Sequence, residues 1–514
     1  MSSQKSGYSS INDEDRDTST CCPKRRWSSV RKGVVIGSIG LVLSLVFVGA
    51  YFGVNAFVQW QLNNEDVLTN GSALEEQWAS PTTPVYTNFY FFDLQNADDV
   101  SKGAKPRFVE RGPYAYREYK EKVNVSWSKD KSIVSYLEKD YFVSDANRSS
   151  GDVAKDQVTT INVIKMILLV ILSKESKWKQ EILNEAIKLI PKESFFTTQS
   201  VYDFLWGRTD SNLKFLHRFD KNIPTKFAFQ TNVTTPDPRN SSSVRTGVVN
   251  RKDIGEYVTY QGMSILPFWD GDEANEIKGT EGYFFGPNLS KDRPVYVFVD
   301  QLFRTGYFNF TSYQDLNGIE LYRYSIPNFE LASAKRNPAN KVFYSFGPDG
   351  IANLTTVVPL NAPVYVSKPH FLDSDIGLLH NVTGLVPNRE KHDSYMDIEP
   401  LSGAMLRAAK RLQMNVKIDQ NEHLSDLKNI RSMYFPLFWA EEIAVASDNT
   451  TDELKAKLFT PLKIAYGVVF SGLAVSGFLC VAGYSTAIVY FIKKRKKANK
   501  MKERLVIDAL DDET

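Results

Sequence analysis

The residue types that usually carry out chemistry are present in this chain, but their spacing matches no catalytic motif. We find no G-x-S-x-G, H-E-x-x-H, Walker A, G-x-G-x-x-G or C-x-x-C pattern. The acidic run at 270–273 (Asp-Gly-Asp-Glu) lacks EF-hand spacing, so a solvated loop is the simpler interpretation. The histidines are scattered and form no i,i+4 pair: His217, His370, His380, His392 and His423. We therefore predict no catalytic residues, no metal site and no cofactor, and a protein that is not an enzyme.

Asn-X-Ser/Thr sequons predict a glycosylated surface that faces away from the cytosol. All of them lie between two long apolar segments, which is the arrangement expected of a luminal or extracellular domain. The asparagines are Asn70, Asn124, Asn147, Asn232, Asn240, Asn288, Asn309, Asn353, Asn381 and Asn449.

Cysteine is almost absent from the chain. Its three cysteines are Cys21, Cys22 and Cys480, so the region between the apolar segments has none and no disulfide framework can form there. Cys21 and Cys22 stand amid basic residues shortly before the first apolar segment, which favours S-palmitoylation over two idle cytosolic thiols. Cys480 lies inside the second segment and is expected to behave as a small apolar residue.

Two uncharged segments, 33–58 and 464–492, are each long enough to cross a bilayer as a helix. The first is too long for a signal peptide and has no small-residue cleavage site after it. The mean hydropathy of −0.30 excludes a polytopic membrane protein. We therefore predict a membrane protein with one N-terminal and one C-terminal transmembrane helix.

The flanking charges predict the orientation of these helices. Basic residues cluster at 24–32 and 493–497, on the terminal side of each segment, so the positive-inside rule places both termini in the cytosol. The expected organisation is a cytosolic tail at 1–32, a transmembrane helix at 33–58, an ectodomain at 59–463, a second transmembrane helix at 464–492 and a cytosolic tail at 493–514. The net charge of +2 gives no global basic field, so nucleic acid is not expected as a partner.

The N-terminal tail also contains a candidate sorting signal. Tyr8 and Ile11, within Gly-Tyr-Ser-Ser-Ile at 7–11, fit the tyrosine-based pattern that clathrin adaptors bind as an extended strand. Such a short pattern also arises by chance. The resulting expectation is a protein of the plasma membrane, of the endolysosomal membrane, or of both.

Glycines recur at four-residue spacing in both apolar segments. Gly33 and Gly37, Gly49 and Gly53, and Gly472 with Ser476 would each place small residues on one helix face. Such faces allow close helix packing, within one chain or in a homo-oligomer. The alternative is the ordinary glycine richness of membrane helices.

Between the apolar segments, strand patterns predominate. Residues 123–127 and 133–136 flank a turn-like Ser-Lys-Asp-Lys and predict a hairpin, and 85–92, 296–299 and 319–324 are further strand candidates. Residues 406–418 alternate, with apolar side chains at even positions, which predicts a long strand whose even face is buried. The helical patterns are an amphipathic helix at 174–190 and, before it, a buried apolar helix at 163–172.

Many blocks of this sequence, in this order, resemble the class B scavenger receptor and lysosomal integral membrane protein family, which includes the fatty-acid translocase. The resemblance runs nearly end to end. It rests on Trp78, Pro84-Val85-Tyr86, Lys105-Pro106, Glu110-Arg111-Gly112-Pro113-Tyr114, Leu205-Trp206-Gly207, Ile277-Lys278-Gly279-Thr280-Glu281-Gly282, Pro369-His370-Phe371-Leu372, Gly384-Leu385, Pro387-Asn388, His392, Asp397-Ile398-Glu399-Pro400 and Lys410-Arg411-Leu412-Gln413-Met414-Asn415.

The resemblance implies an α+β fold: an antiparallel β-barrel ectodomain with an apical helical bundle at about 155–225 and a lipid-sized tunnel toward the bilayer. It implies ligand binding at the apex. One departure is Phe303, which stands where relatives usually carry cysteine. The residues here that match the apex are Lys174, Lys177, Trp178, Lys179, Leu183, Ile187 and Lys188.

Three functions remain in competition. The first is a receptor that binds lipids (fatty acids, sterols, phospholipids) or lipoproteins at the apex and passes lipid through the tunnel. The second is a lysosomal or endosomal sorting receptor for a protein cargo, and the third a two-span ligand-gated channel. The channel is the weakest, because neither apolar segment contains an ionisable residue to line a pore.

Overall fold

The computed structural model describes residues 28–64, 67–180, 194–210, 213–214, 217–218, 221, 225–344 and 346–511. The chain divides into two compact units. One contains the described parts of Met1–Phe57 and Thr460–Thr514, and the other is Val58–Phe459. All of the β-structure in the described residues lies in the second unit.

Fifteen strands are described in the Val58–Phe459 unit. They are β1 Val85–Leu94, β2 Phe108–Trp127, β3 Ile133–Ser144, β4 Gln157–Ile161, β5 Phe196–Ser200, β6 Ser242–Arg245, β7 Tyr257–Thr259, β8 Val295–Val299, β9 Arg304–Leu316, β10 Ile319–Ser325, β11 Ile351–Asn353, β12 Val364–Ser367, β13 Tyr395–Ile398, β14 Met405–Ile418 and β15 Met433–Val445.

Eleven of these strands form one nearly closed antiparallel barrel. Their order is β7-β6-β3-β2-β1-β15-β14-β13-β10-β9-β8, with β12 and β11 attached beside β14 and a separate β4-β5 pair. Thr280 bridges the two ends of this path, because it pairs with Glu256 next to β7 and with Val297 of β8. Closure leaves few open sheet edges and encloses an interior, which we call the lumen.

In the described residues, helices are few and mostly short. The α-helices are α1 Ser29–Asn64, α2 Ala73–Ala79, α3 Ala97–Val100, α4 Val163–Ser173, α5 Val201–Trp206, α6 Asp272–Asn275, α7 Ile376–His380, α8 Arg389–His392, α9 Asp448–Leu454 and α10 Thr460–Asp511. Short 3₁₀ segments lie at Pro238–Asn240, Arg251–Asp253, Asp300–Leu302, Pro338–Val342, Pro359–Asn361 and Pro369–Phe371, and a π-helical turn lies at Lys455–Phe459.

The strand predictions are confirmed, with one correction. The hairpin is β2 and β3, which pair from Trp127 opposite Val134, and the other candidates lie in β1, β8, β10 and β14. On β14 the predicted even face is buried at both ends, at Leu406, Val416 and Ile418, but the prediction is wrong in the middle of the strand. Gln413 and Asn415 are fully buried, whereas the apolar Leu412 and Met414 keep accessible surface. The polar face is covered from outside the barrel by residues 365–394, and the apolar face borders the lumen.

The helical predictions are confirmed only in part. Helix α4 forms as expected, with Met166 and Leu169 buried. The predicted helix at 174–190 begins late: 174–176 form a turn and bend, and residues 177–180 are helical. Residues 181–190 lie outside the described residues.

In the unit of α1 and α10, the two long helices pack antiparallel along small and polar residues. A Cβ atom on Gly40 would lie 2.4 Å from the backbone nitrogen of Cys480, and one on Gly483 would lie 2.3 Å from that of Gly37. Ser44 donates a hydrogen bond to Ser476 over 2.9 Å. The predicted face at Gly33 and Gly37 is therefore an interface. The prediction for Gly49 and Gly53 is wrong for this helix pair, because nothing lies within 4 Å of a Cβ at either position.

Candidate functional site

The lumen is lined by one face of each barrel strand, and part of that lining packs on the hydrophobic core without being fully covered. Leu412 of β14 and Ala440 of β15 are register partners, and Phe89 of β1 pairs with Ala440 on its other side. Leu412 and Ala440 keep accessible surface although strands enclose them, whereas Phe89 is buried. Apolar surface that is accessible inside a closed barrel has to border an internal space, since a filled core would cover it.

An aromatic cluster occupies one end of the lumen. Phe438 of β15 contacts the rings of Phe89, Phe204 and Phe229 at centroid distances of 6.2, 5.8 and 5.1 Å. Trp206 donates a hydrogen bond from its indole nitrogen to the hydroxyl of Tyr116 over 3.0 Å. Helix α5 supplies Phe204 and Trp206, so the Val-Tyr-Asp-Phe-Leu-Trp segment caps this end of the barrel with rings.

A small cavity of about 40 Å³ lies where this cluster meets α4. Ile161, Val163, Phe204, Phe227 and Phe229 supply its apolar wall. Its polar lining residues are Asn162, Thr197, Gln199, Asp203, Arg208 and Asp210. With Ile164, six apolar and six polar residues line this cavity, and it is much smaller than the roughly 300–1,000 Å³ of a small-molecule site.

Farther along the lumen, charged residues form a ring that we call the luminal charge belt. It consists of Glu118, Lys120, Lys122, Glu138, Asp140, Glu281, Asp300, Lys410 and Glu442. Lys120 contacts Glu118 at 2.7 Å and Glu442 at 3.3 Å, and Lys410 contacts Glu442 and, at 3.8 Å, Asp300. Four steps of sheet order separate β14, which carries Lys410, from β8, whose end carries Asp300. The contact between these two residues therefore crosses the lumen.

The side chains of the luminal charge belt lie inside the barrel but keep accessible surface. The side chains of Glu442, Lys410 and Glu138 are 25%, 33% and 38% accessible. Burial nevertheless raises the pKa of Asp140 to about 7, and the attraction of Lys120 only partly offsets it. Burial would raise the pKa of Glu442 as well, but Lys120 and Lys410 outweigh that effect and hold it below its ordinary value. These groups border an enclosed space rather than bulk solvent.

One belt residue, Lys122, sits in an aromatic cage. Its ammonium nitrogen lies 3.9 Å from the ring centroid of Tyr283, 5.0 Å from Trp78 and 5.2 Å from Tyr136. Glu281 lies at 3.8 Å from the same nitrogen. Aromatic faces together with a carboxylate are the usual surroundings of a desolvated ammonium group.

Two histidines that are far apart in the sequence lie together on the outer face of the barrel. The rings of His370 and His392 are stacked with centroids 4.2 Å apart. His370 Nε2 lies 2.5 Å from Glu110, whose carboxylate also accepts a 2.9 Å hydrogen bond from Trp439. Burial raises the pKa of Glu110, but these hydrogen bonds outweigh it and leave the pKa below its ordinary value. Strands β1, β2 and β15 bring this site together from distant segments, so no local spacing pattern could have indicated it.

The described apical candidates are exposed. Lys174, Lys177 and Lys179 are all exposed, and Lys179 pairs with Glu175 at 3.1 Å. The Trp178 side chain is 62% exposed rather than packed on α4. Gln180 is buried in its place and donates to the carbonyl oxygens of Ser173 and Glu175. Three further candidates lie outside the described residues: Leu183, Ile187 and Lys188.

The structure describes the predicted glycosylation sites but not the predicted lipidation and sorting residues. Nine sequon asparagines are exposed and Asn353 is half-buried. Cys21, Cys22, Tyr8 and Ile11 lie outside the described residues. Within the described ranges, no group of three or more His, Cys, Asp or Glu side chains could hold a metal ion.

Phe303, at the expected cysteine position, has a structural role of its own. Its backbone is left-handed with φ of +49°, and its ring packs on Phe268 with centroids 5.3 Å apart. Its carbonyl oxygen accepts a 2.7 Å hydrogen bond from the indole of Trp269. Aromatic packing thus holds this segment without a disulfide.

Comparisons with known proteins agree with this architecture. The profile of the CD36 family matches residues 35–487. Human (Homo sapiens) lysosome membrane protein 2 is 30% identical over 463 residues, covering 86% of this chain and 93% of that protein. The rat (Rattus norvegicus) protein of the same name is 29% identical over 459 residues with the same coverage. Pig (Sus scrofa) scavenger receptor class B member 1 is 26% identical over 467 residues, covering 90% of each chain.

Proposed function

The chain belongs to the CD36 family, and we propose that it is a membrane receptor that binds lipids or lipoproteins at the apex and passes lipid through the barrel lumen toward the bilayer. The observation that carries the proposal is the burial pattern in the middle of β14. There Arg411, Gln413 and Asn415 are buried, while Leu412 and Met414 keep accessible apolar surface inside the barrel. Open apolar surface is costly in water, at about 25 cal/mol per Å². An acyl chain or a sterol ring that covers it is therefore favoured.

The path begins beside the apical residues. The cavity under α4 shares Phe204 and Phe229 with the aromatic cluster, so its apolar wall continues into the lumen. Exposed Lys174 and Lys177 give the entrance a positive charge that attracts anionic lipid heads or lipoprotein surfaces. Trp178 adds an exposed aromatic anchor beside them.

Both apolar helices fit this proposal. They are long and apolar enough to cross a membrane, and their antiparallel pairing is compatible with a cytosolic location of both termini. The similarity to lysosome membrane protein 2 favours an endolysosomal location. Sorting of a protein cargo through the same apex remains the second candidate, because the exposed Trp178 and its lysines could equally contact a protein.

The proposed lipid path can be tested by filling the lumen with a large side chain. Ala440→Trp places a large ring between Phe89 and Leu412. The matched control is Ile443→Trp, on the opposite face of the same strand. In cells that express the full chain, uptake of a fluorescent sterol or fatty acid should fall to the level of mock-transfected cells with Ala440→Trp and stay unchanged with Ile443→Trp. Equal uptake by both variants, with both correctly glycosylated, would refute the luminal path.

A further inference from the structure

The luminal charge belt is richer in carboxylates than in cations. Its six acidic side chains face three lysines, and each lysine already has carboxylate partners. Lys120 lies between Glu118 and Glu442, and Lys410 lies against Glu442. A lipid carboxylate that enters the belt would therefore have to displace Glu442, and would leave that carboxylate enclosed without its cations.

Two carboxylates of the belt are less completely neutralised. Glu138 and Asp300 are 38% and 45% accessible, and their nearest lysine nitrogens lie 4.0 and 3.8 Å away, which is beyond hydrogen-bond distance. Asp140, next but one to Glu138 on β3, has a buried carboxylate oxygen without a hydrogen-bond partner. Such acceptors require a donor, and an ammonium group is the strongest donor that a lipid head can offer.

Aromatic rings face the same part of the lumen. Tyr257, Tyr260 and Phe298 pack together with centroids 4.8 to 5.7 Å apart. Both tyrosines are half-buried. Asp300 follows Phe298 by two residues at the end of β8, and only β6 separates β3, which carries Glu138, from β7, so both carboxylates lie on elements that adjoin this wall. Burial and then the charges of Asp300 and Glu138 raise the pKa of Tyr260, in agreement with this placement.

The protein itself already binds one ammonium group in this way. Lys122 lies over Tyr283, Trp78 and Tyr136, with Glu281 at 3.8 Å and Glu138 at 4.0 Å. Glu138 thus takes part in an occupied ammonium cage and also offers accessible surface to the lumen beside Tyr257 and Tyr260. The second set of rings and carboxylates repeats the composition of the first set, and its paired cations, Lys410 at 3.8 Å from Asp300 and Lys122 at 4.0 Å from Glu138, lie beyond hydrogen-bond distance.

We propose that the luminal charge belt is a head-group site that selects amphipathic lipids with a protonated amine over lipids with a free carboxylate. Glu138 and Asp300 are the carboxylates that contact the ammonium group, and Tyr257 and Tyr260 supply the aromatic wall. The alkyl chain extends along Leu412, Ala440 and the aromatic cluster. This inference rests on the proposed passage of lipid through the lumen, and it names the class of lipid that the lumen favours.

The experiment compares two probes of the same chain length. The full chain in detergent is loaded with a fluorescent 18-carbon alcohol, which is then displaced by octadecylamine or by octadecanoate at pH 7.4. We expect octadecylamine to displace the probe at about a tenfold lower concentration, a factor that corresponds to ~1.4 kcal/mol. With Glu138→Gln combined with Asp300→Asn, the two concentrations should agree within about twofold.

The control variant is Glu121→Gln combined with Asp98→Asn. Glu121 faces outward from the same strand as Lys120 and pairs with Lys139, and Asp98 is exposed on α3. This control should keep the preference of the wild type. A photoreactive octadecylamine should label peptides that contain Tyr257 or Tyr260. This measurement uses the wild-type protein, so it does not depend on the folding of any variant.

The outcomes separate the two proposals. If the fluorescent alcohol does not bind, the proposed lipid function fails. If it binds but both competitors act equally on the wild type, or if the preference survives Glu138→Gln with Asp300→Asn, the head-group site is refuted and lipid passage stands. Labelling confined to the apex would also refute the luminal site.

Discussion

His370 and His392 stack face to face with their ring planes only 2° apart, although they come from separate turns of the segment that covers the barrel. Each Nδ1 atom accepts a backbone hydrogen bond, His370 from Val386 and His392 from Asn388. Both rings are therefore held with Nδ1 unprotonated, and His370 donates from Nε2 to Glu110. A proton on either Nδ1 would break one of the bonds that hold residues 384–392 in place.

This arrangement makes the stability of the ectodomain sensitive to acid. Burial and the neighbouring His370 lower the pKa of His392 from 6.5 to about 4. Between these values the unfolded chain binds a proton that the folded chain does not, so stability is lost as the pH falls from 6.5 toward 4. The full effect is roughly 3 kcal/mol, at about 1.4 kcal/mol per unit.

Thermal unfolding of wild type and His392→Asn between pH 7.5 and 4.5 measures this effect. Asparagine can still accept the Asn388 hydrogen bond but does not titrate, so the variant should lose much of the acid-dependent decrease in melting temperature. His380→Asn, at an exposed histidine on α7, is the matched control and should behave like wild type. Parallel pH profiles for wild type and His392→Asn would contradict the assignment.

Strand β14 shows how much of this architecture could be predicted from the sequence. Its period-2 pattern identified the strand, but periodicity reports that two faces differ, not which face is enclosed. In the middle of the strand the usual rule fails, because Leu412 and Met414 stay accessible inside the barrel while Gln413 and Asn415 are buried under residues 365–394. The charge belt and the histidine pair were not predictable for a related reason. Their members come from separate strands and connecting segments, and only the tertiary structure brings them together.

The contacts of the glycines in the long helices were also only partly predictable from the sequence. Four-residue spacing identified Gly33 and Gly37 correctly and Gly49 and Gly53 incorrectly, because the spacing does not say which helix face meets the partner. Gly40, outside every predicted pair, makes one of the tightest contacts: a Cβ there would lie 2.4 Å from Cys480 and 2.7 Å from Ser476.

We expect Gly40→Ala to separate the two helices and Gly49→Ala to leave them paired. An overpacked interface typically costs about 1–3 kcal/mol. Ser44→Cys with Ser476→Cys provides the measurement, since the wild-type hydroxyl oxygens are 2.9 Å apart. Disulfide yield in membranes should fall with Gly40→Ala and remain high with Gly49→Ala. Equal yields would show that the interface tolerates the added methyl group.

Asn288 is expected to remain without a glycan although it lies in a sequon. Its side chain forms two reciprocal amide hydrogen bonds with Gln59, at 2.7 and 3.1 Å. The amide nitrogen that would carry the sugar is thus already the donor in one of these bonds, and glycosylation would require the pair to open. Glycopeptide mass spectrometry should find position 288 unmodified. Asn288→Gln should leave gel mobility unchanged, whereas Asn381→Gln, at an exposed sequon, should increase it; a sugar at Asn288 would disprove this expectation.

The N-terminal tail gives a prediction that the sequence alone supports. If Tyr8 and Ile11 bind a clathrin adaptor, Tyr8→Ala should move the protein from endolysosomes to the plasma membrane, because the tyrosine fills a pocket of the adaptor. Surface biotinylation measures the shift, and Ser9→Ala, at a position that the pattern leaves free, is the control. Unchanged surface levels with Tyr8→Ala would dismiss the motif.

Replacing Cys21 and Cys22 by serine should separately abolish labelling by an alkyne-tagged palmitate.

The apical lysines should govern capture of anionic particles independently of the lumen. Lys174, Lys177 and Lys179 are exposed and close in sequence, and one of them is partly neutralised by Glu175. Changing all three to glutamate should weaken binding of phosphatidylserine-containing vesicles about tenfold and flatten its dependence on salt, because long-range attraction is screened by ions. Three exposed lysines elsewhere provide a control with the same change in net charge: Lys102, Lys129 and Lys335.

Trp178→Ala distinguishes charge from contact at the same surface. The ring is 62% exposed and lies 6.0 Å from the ammonium nitrogen of Lys179, so it is available to a ligand without unfolding the helix. Its removal should weaken vesicle binding by loss of apolar contact while leaving the salt dependence unchanged, the opposite of the lysine result. If vesicle affinity and its salt dependence both survive the triple lysine change and Trp178→Ala, capture takes place elsewhere on the ectodomain, and the apex loses its role in the proposed function while the luminal path keeps its own test.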